Sequence, residues 1–147
     1  MVQRIEDDAS CVVKKIKMRE LSKRDAMVAQ REVAVMQRVQ HPHIIGYLDS
    51  FVCNEFMHII MEYADGGTLQ DKIKASRSSG AISEPLVARY FSQTVLAVHH
   101  LHQHRILHRD LKSANVFLTA AGDVKVRLLS KVAVVGARYL RKEIPTV

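Results

Sequence analysis

No run in this chain of 147 residues approaches the roughly 20 consecutive apolar positions that carry a helix across a bilayer, although 48% of its residues are hydrophobic. Nor is Met1 to Ser10 (MVQRIEDDAS) an apolar leader, since it is polar and acidic. Membrane attachment is not expected, and a cytoplasmic setting is. Cysteine is scarce, with two in all, and Cys11 and Cys53 each sit in apolar, β-branched surroundings (SCVVK, FVCNEF). There a thiol packs as a small hydrophobe, so both are expected to be reduced and buried and no disulfide framework is expected. Aromatic residues are only 5% of the chain, and none interleaves with the most basic run, KKIKMRELSKR, Lys14 to Arg24. Lys plus Arg exceed Asp plus Glu by 22 to 15, but a basic face without stacking platforms is a solvated face more often than a nucleic-acid surface. There is no internal repeat and no low-complexity linker, and a chain of this size is long enough for one core.

What is present is a mixture of the two hydrophobic periods. Cys11 to Lys17 has the β-branched alternation of a short strand. Ser22 followed by Asp25 signals a helix start, and Val28, Val35, Met36 and Val39 recur at helical spacing until Pro42 forbids continuation. Two strand-like runs, Ile45 to Cys53 and Phe56 to Tyr63, flank Asn54-Glu55 as a tight hairpin. Thr68 is a cap for a short helix to about Ala75, after the Asp65-Gly66-Gly67 breaker. Ser83 and Pro85 open a longer helix, whose stripe of Val87, Tyr90, Phe91, Thr94, Val98 and Leu101 is expected to be buried. Finally VFL and VKV flank a Gly122-Asp123 turn. Strands first, helices in the middle and a late hairpin make an α+β arrangement.

One stretch carries chemistry. His108-Arg109-Asp110-Leu111, then Lys112 and Asn115, fits the H-R-D-L-x-x-x-N loop, in which the Asp accepts or orients a substrate hydroxyl and the Asn binds magnesium. A lysine two residues after the Asp places a cation where phosphoryl transfer spreads negative charge. Glu32 shares a helical stripe with Val28, Val35, Met36 and Val39, and a carboxylate on an apolar face needs a partner. His100 and His104 stand one helical turn apart, a spacing able to hold zinc, but no third ligand of the right kind lies nearby and zinc is not expected.

On these residues the chain resembles the middle of a eukaryotic serine/threonine protein kinase, and is most similar to the NIMA-related group. CVVKKI resembles the family's nucleotide-lysine strand, REVAVMQRVQHPHII its regulatory helix and following loop, and IIMEYADGGTL its strand, hinge and next helix. The likeness runs from about Cys11 to Val126. It implies an incomplete kinase-like α+β fold, with a truncated N-lobe sheet of three strands plus the regulatory helix and the first part of a helical C-lobe. The whole chain then reads as one partial domain: 11–64 the N-lobe remnant and hinge, 65–126 the start of the C-lobe, and 127–147 a degenerate activation segment. It further implies ATP and Mg2+ as cofactors and proteins bearing serine or threonine as substrates. Lys14 would grip the phosphates and Glu32 would hold Lys14. Met61 would guard the back of the adenine pocket, while the backbone of Glu62, Tyr63 and Ala64 would bind the purine over Phe117. Asp110, Lys112 and Asn115 would be catalytic, with Asn115 also on the metal, and Lys112 implies an aliphatic rather than phenolic acceptor.

The resemblance breaks at three places. No glycine precedes Lys14, so the Gly-rich loop is missing and the lysine strand is expected to have an unpaired edge. Arg127, Leu128 and Leu129 stand where the family's Asp-Phe-Gly triplet would supply a magnesium-binding carboxylate, and Val135 to Leu140 resembles a disturbed version of its substrate-docking segment. Two functions are expected: a serine/threonine kinase of NIMA-related type, in the cytoplasm and at the cytoskeleton, or else a catalytically inactive kinase-like binding module or a truncated kinase fragment. In the second, a protein partner covers the exposed lobe surfaces.

Overall fold

The computed structural model describes residues 2–3, 10–128 and 133–134. Leu129 and the Val135 to Leu140 segment lie outside them. Among the described residues no helix is long and apolar enough to cross a membrane.

The sheet is built on β2 (Ser10–Lys17), β3 (Tyr47–Cys53) and β4 (Phe56–Glu62). β2 pairs antiparallel with β4 along its length, from Cys11 opposite Glu62 to Lys17 opposite Phe56. β3 and β4 form the expected hairpin, and both Asn54 (φ 48°) and Glu55 (φ 65°) are left-handed, the pairing that suits the twist of a two-residue turn. On β4, Met57, Ile59 and Met61 are buried while their neighbours are only half-buried, the period-2 pattern of a sheet with one face on the core. The unpaired edge expected for β2 needs a correction. A fourth, two-residue strand, β1 (Val2–Gln3), sets Val2 against Cys11 and Gln3 against Ser10, so that end of the edge is closed.

Helix α1 (Lys23–Gln37) begins as the sequence indicates: the Ser22 hydroxyl accepts the Asp25 N–H at 3.1 Å. Its inward stripe is Ala29, Glu32, Val33 and Met36, with Val35 beside it. Val28, placed on that stripe by sequence, is 37% exposed because it lies a residue off the true face. The loop after α1 is pinned to the other half of the molecule, with Val126 N–H donating to His43 O at 2.8 Å and Ile45 N–H to Val126 O at 2.9 Å.

Helix α2 (Leu69–Ser79) starts in a reciprocal box between Thr68 and Asp71 and runs a turn past the expected end at Ala75. Ser76 and Ser78 turn their hydroxyls back onto the carbonyls of Ile73 and Ala75, and the helix stops at Gly80 (φ 101°), a backbone conformation only glycine adopts readily. Helix α3 (Glu84–Gln103) buries Tyr90, Ala97 and Leu101. Val87 and Phe91, expected inside, are 50% and 70% exposed, since among the described residues nothing packs over the first half of that face. Beyond α3 come β5 (Ile106–Leu107), a 3-10 turn (Ser113–Asn115), β6 (Val116–Leu118), β7 (Val124–Val126) and β8 (Ala133–Val134). β5 pairs with β8, and β6 with β7 through the turn holding Gly122 (φ 78°). One apolar cluster joins both halves, with Ile44, Ile59, Leu101, Val124 and Val126 almost completely enclosed. Both thiols are free, and Cys11 is buried as expected. Cys53, on the outer strand next to the hairpin turn, is exposed instead.

Candidate functional site

The loop between β5 and the 3-10 turn is held from below by His108, which is 5% exposed. Its Nε2 lies 3.0 Å from Arg127 O and its Nδ1 accepts the Asp110 N–H at 3.3 Å. Those two contacts together require the neutral ring with its proton on Nε2. Burial lowers the pKa of His108, outweighing the opposing effects of the Arg127 carbonyl and the Asp110 charge. Arg109 is left-handed (φ 59°), a costly conformation for a bulky side chain that reverses the backbone immediately before Asp110.

The Asp110 carboxylate accepts an N–H from Asn115 Nδ2 at 2.9 Å and lies 3.2 Å from Lys112 Nζ. Asn115 is 1% exposed, and its Nδ2 also donates to the Asp110 carbonyl at 2.6 Å. The 3-10 turn makes this possible by bringing Asn115 N–H onto Lys112 O at 2.8 Å, which folds the amide back over the acid. Asp110, Lys112 and Asn115 are thus in direct contact.

A fourth member was not anticipated by the sequence. Arg127 Nη2 donates to Asn115 Oδ1 at 2.9 Å, and its guanidinium carbon lies 4.9 Å from the centre of the Phe117 ring. Arg127 N–H also donates to Asn115 O at 2.9 Å. From the sequence the position shows only the loss of an acid. The available signal was strand alternation: Lys125 pairs with Phe117, and Arg127, two residues on, shares their face.

The second cluster lies on β2 and α1. Lys14 Nζ donates to Glu32 Oε1 at 2.7 Å, with the Glu32 side chain 4% exposed and that of Lys14 33% exposed. Met61 and Ala64 are buried within the common core, while Tyr63 is exposed. Glu62 is tied twice: it accepts the Gly46 N–H at 3.0 Å and pairs with Lys125 at 2.5 Å. Its own N–H donates to Gly46 O at 2.9 Å, so that group is committed within the protein and is not a purine donor.

The donor set does not fit magnesium. Mg2+ requires near-octahedral oxygen ligands that usually include one or two carboxylates. Here the Asn115 carboxamide oxygen already receives a guanidinium N–H, and the Asp110 carboxylate is paired with Lys112. Among the described residues no group of three His, Cys, Asp or Glu side chains is placed to hold a metal ion, and that includes His100 and His104. His104 Nδ1 is instead 2.9 Å from the His100 carbonyl.

A protein kinase domain model matches residues 1–128. The chain is 37% identical over 126 residues to serine/threonine-protein kinase Nek1 of Mus musculus, covering 86% of the chain and 10% of that protein. It is 38% identical over 128 residues to putative serine/threonine-protein kinase A of Trypanosoma brucei brucei, covering 86% and 30%. With serine/threonine-protein kinase nekl-2 of Caenorhabditis elegans the identity is 39% over 113 residues, covering 73% and 32%. The chain therefore spans 10–32% of the length of these relatives.

Proposed function

The chain belongs to the protein kinase family and is NIMA-related in type, and we propose that its site transfers a phosphoryl group from ATP to serine or threonine hydroxyls of protein substrates. The observation that supports this best is the Asp110 carboxylate braced by Asn115 Nδ2 at 2.9 Å with Lys112 beside it at 3.2 Å. In this reading ATP supplies the activated γ-phosphoryl group. Asp110 accepts or orients the incoming hydroxyl, and its position is fixed by Asn115 from one side and by the His108 contact from below. Lys112 stabilises negative charge on the transferred group. Lys14, steered by the buried Glu32, meets the remaining phosphates, while Met61, the Glu62 carbonyl, Ala64 and Phe117 form the purine pocket. No step is assigned to Asn115 as a metal ligand.

Transfer of labelled phosphate from ATP to a generic basic protein tests the proposal, with Asp110→Asn abolishing it and Lys14→Met abolishing the thermal stabilisation by ATP. A second reading, an inactive kinase-like module that binds a protein partner, is favoured by the exposed apolar face around Val87 and Phe91. Retained ATP binding with no phosphate transfer would select it.

A further inference from the structure

We infer that the Arg127 guanidinium is a built-in monovalent cation of the phosphate site, so that this chain binds the polyphosphate of a nucleoside triphosphate without a divalent metal ion. This rests on the nucleotide reading above and concerns how that nucleotide is held.

The first observation is competition for one atom. Asn115 has a single side-chain oxygen, and Arg127 Nη2 donates to it at 2.9 Å, while the amide nitrogen is spent on Asp110 at 2.9 Å and 2.6 Å. A cation is thus already seated where an incoming ion would need that oxygen. The second is that the guanidinium is held in place. Its residue's N–H bonds Asn115 O, its carbonyl faces His108 Nε2 at 3.0 Å, and its Cζ lies over the Phe117 ring, 4.9 Å from the ring centre. Stacking on an aromatic face while leaving N–H groups for an anion is what distinguishes Arg from Lys.

The third observation concerns satisfaction. Arg127 Nε is buried and donates to nothing, and a buried donor on a charged group is costly to leave unmet. The guanidinium thus has donor capacity the protein does not use, and the fork it forms matches phosphate oxygens. The fourth is charge. Where a carboxylate stands beside a triphosphate, a divalent ion must offset the repulsion between them. Here that position carries a guanidinium, and Glu32 and Asp110 are each paired with lysine at 2.7 Å and 3.2 Å. A polyphosphate entering this site meets no unneutralised carboxylate among these groups, so the electrostatic need for a metal is removed.

The test is ATP binding by calorimetry on the full chain in EDTA and in excess magnesium chloride, with inorganic tripolyphosphate as a second probe. Dissociation constants within about threefold of each other in the two buffers are expected. Arg127→Gln is expected to weaken binding of both probes in EDTA by about tenfold or more, the loss of one charge-assisted contact. Arg127→Lys, which keeps the charge but loses the fork and the aromatic contact, should fall between Arg127→Gln and the unmodified chain, and urea midpoints of both variants close to that of the unmodified chain would show that the loss is not misfolding. Binding that appears only with magnesium would overturn the inference while leaving the nucleotide reading intact. Tighter ATP binding by Arg127→Gln would also overturn it, showing that the guanidinium obstructs Phe117. Absence of ATP binding in both buffers, for the unmodified chain and all variants, would remove the nucleotide reading itself.

Discussion

Lys14 and Glu32, separated by 18 positions, meet at 2.7 Å, and the carboxylate is enclosed while the ammonium keeps one edge toward solvent. The pair joins β2 to α1. Removing one partner of a fully buried pair costs about 3–5 kcal/mol because the survivor is left charged and unpaired. Since Lys14 is a third exposed, Lys14→Met is expected to lower stability by less, about 2 kcal/mol. Glu32→Gln in the same chain should restore part of that loss, because no buried charge then remains. Urea denaturation of the two single variants and the double variant measures both effects. Strict additivity of the single losses would show that the contact carries no energy.

Stability should fall as pH drops below about 6.5 because of three histidines. His41, His100 and His108 all have pKa values lowered from 6.5, in each case chiefly by burial. For His41 and His100 the neighbouring positive charges of other histidines add to this, and the rings of His41 and His100 lie 4.9 Å apart. A group whose folded pKa is depressed supports the fold in full above its unfolded value, and that support is lost as pH falls through the folded pKa. Protonating His108 would also set a ring N–H against the Asp110 N–H, donor facing donor. Urea midpoints at pH 7.5 and 5.5 should therefore differ for the unmodified chain. His108→Gln keeps a donor for Arg127 O but cannot titrate, and should narrow the difference.

Local rules were readable wherever one residue's chemistry decides the outcome. Asn54-Glu55 gave the hairpin, Ser22 and Thr68 the helix starts, Gly122 a turn, and Glu32 betrayed its partner by sitting on an apolar stripe. The misreadings have a common cause, in that periodicity reports a face but not whether anything covers it. Val28 and Cys53 are apolar positions in well-patterned elements that nonetheless meet solvent. Arg127 was illegible for a different reason. A departure from the expected triplet reads as a missing acid, and only the fold of β6 and β7 reveals that a new cation contacts Asn115 and Phe117.

Gly66 is a steric requirement of the segment between β4 and α2. A Cβ there would lie 2.5 Å from Thr119 O and 2.8 Å from Leu118 O, both backbone atoms that cannot swing aside. The close approach is used: Gly66 N–H donates to Leu118 O at 2.8 Å and Leu118 N–H to Gly67 O at 2.9 Å, joining this segment to β6. Gly66→Ala is expected to cost about 1–3 kcal/mol, the range for forced overpacking, in thermal or urea unfolding. Gly46→Ala serves as the comparison. Its Cβ would lie 3.4 Å from Glu62 Oε2 and 3.7 Å from Glu62 Cβ, both side-chain atoms at or near ordinary contact distance, so a much smaller loss is expected.

The apolar depression between α2 and α3 should govern self-association. Leu69, Ile73, Ile82, Val87, Phe91 and Leu111 line it, and Phe91 is 70% exposed, an unusual state for a phenylalanine in a folded chain. Because these side chains give up little contact within the fold, Val87→Ser with Phe91→Ser is expected to change stability by only about 0.5 kcal/mol. The same pair of changes should reduce binding of a hydrophobic dye such as ANS and lower the apparent mass at high concentration in analytical ultracentrifugation. If the double variant instead loses several times that stability, these side chains are packed in solution and the face is closed. If stability, dye binding and mass are all unchanged, the depression does not drive association, and the case for a partner on this face is lost.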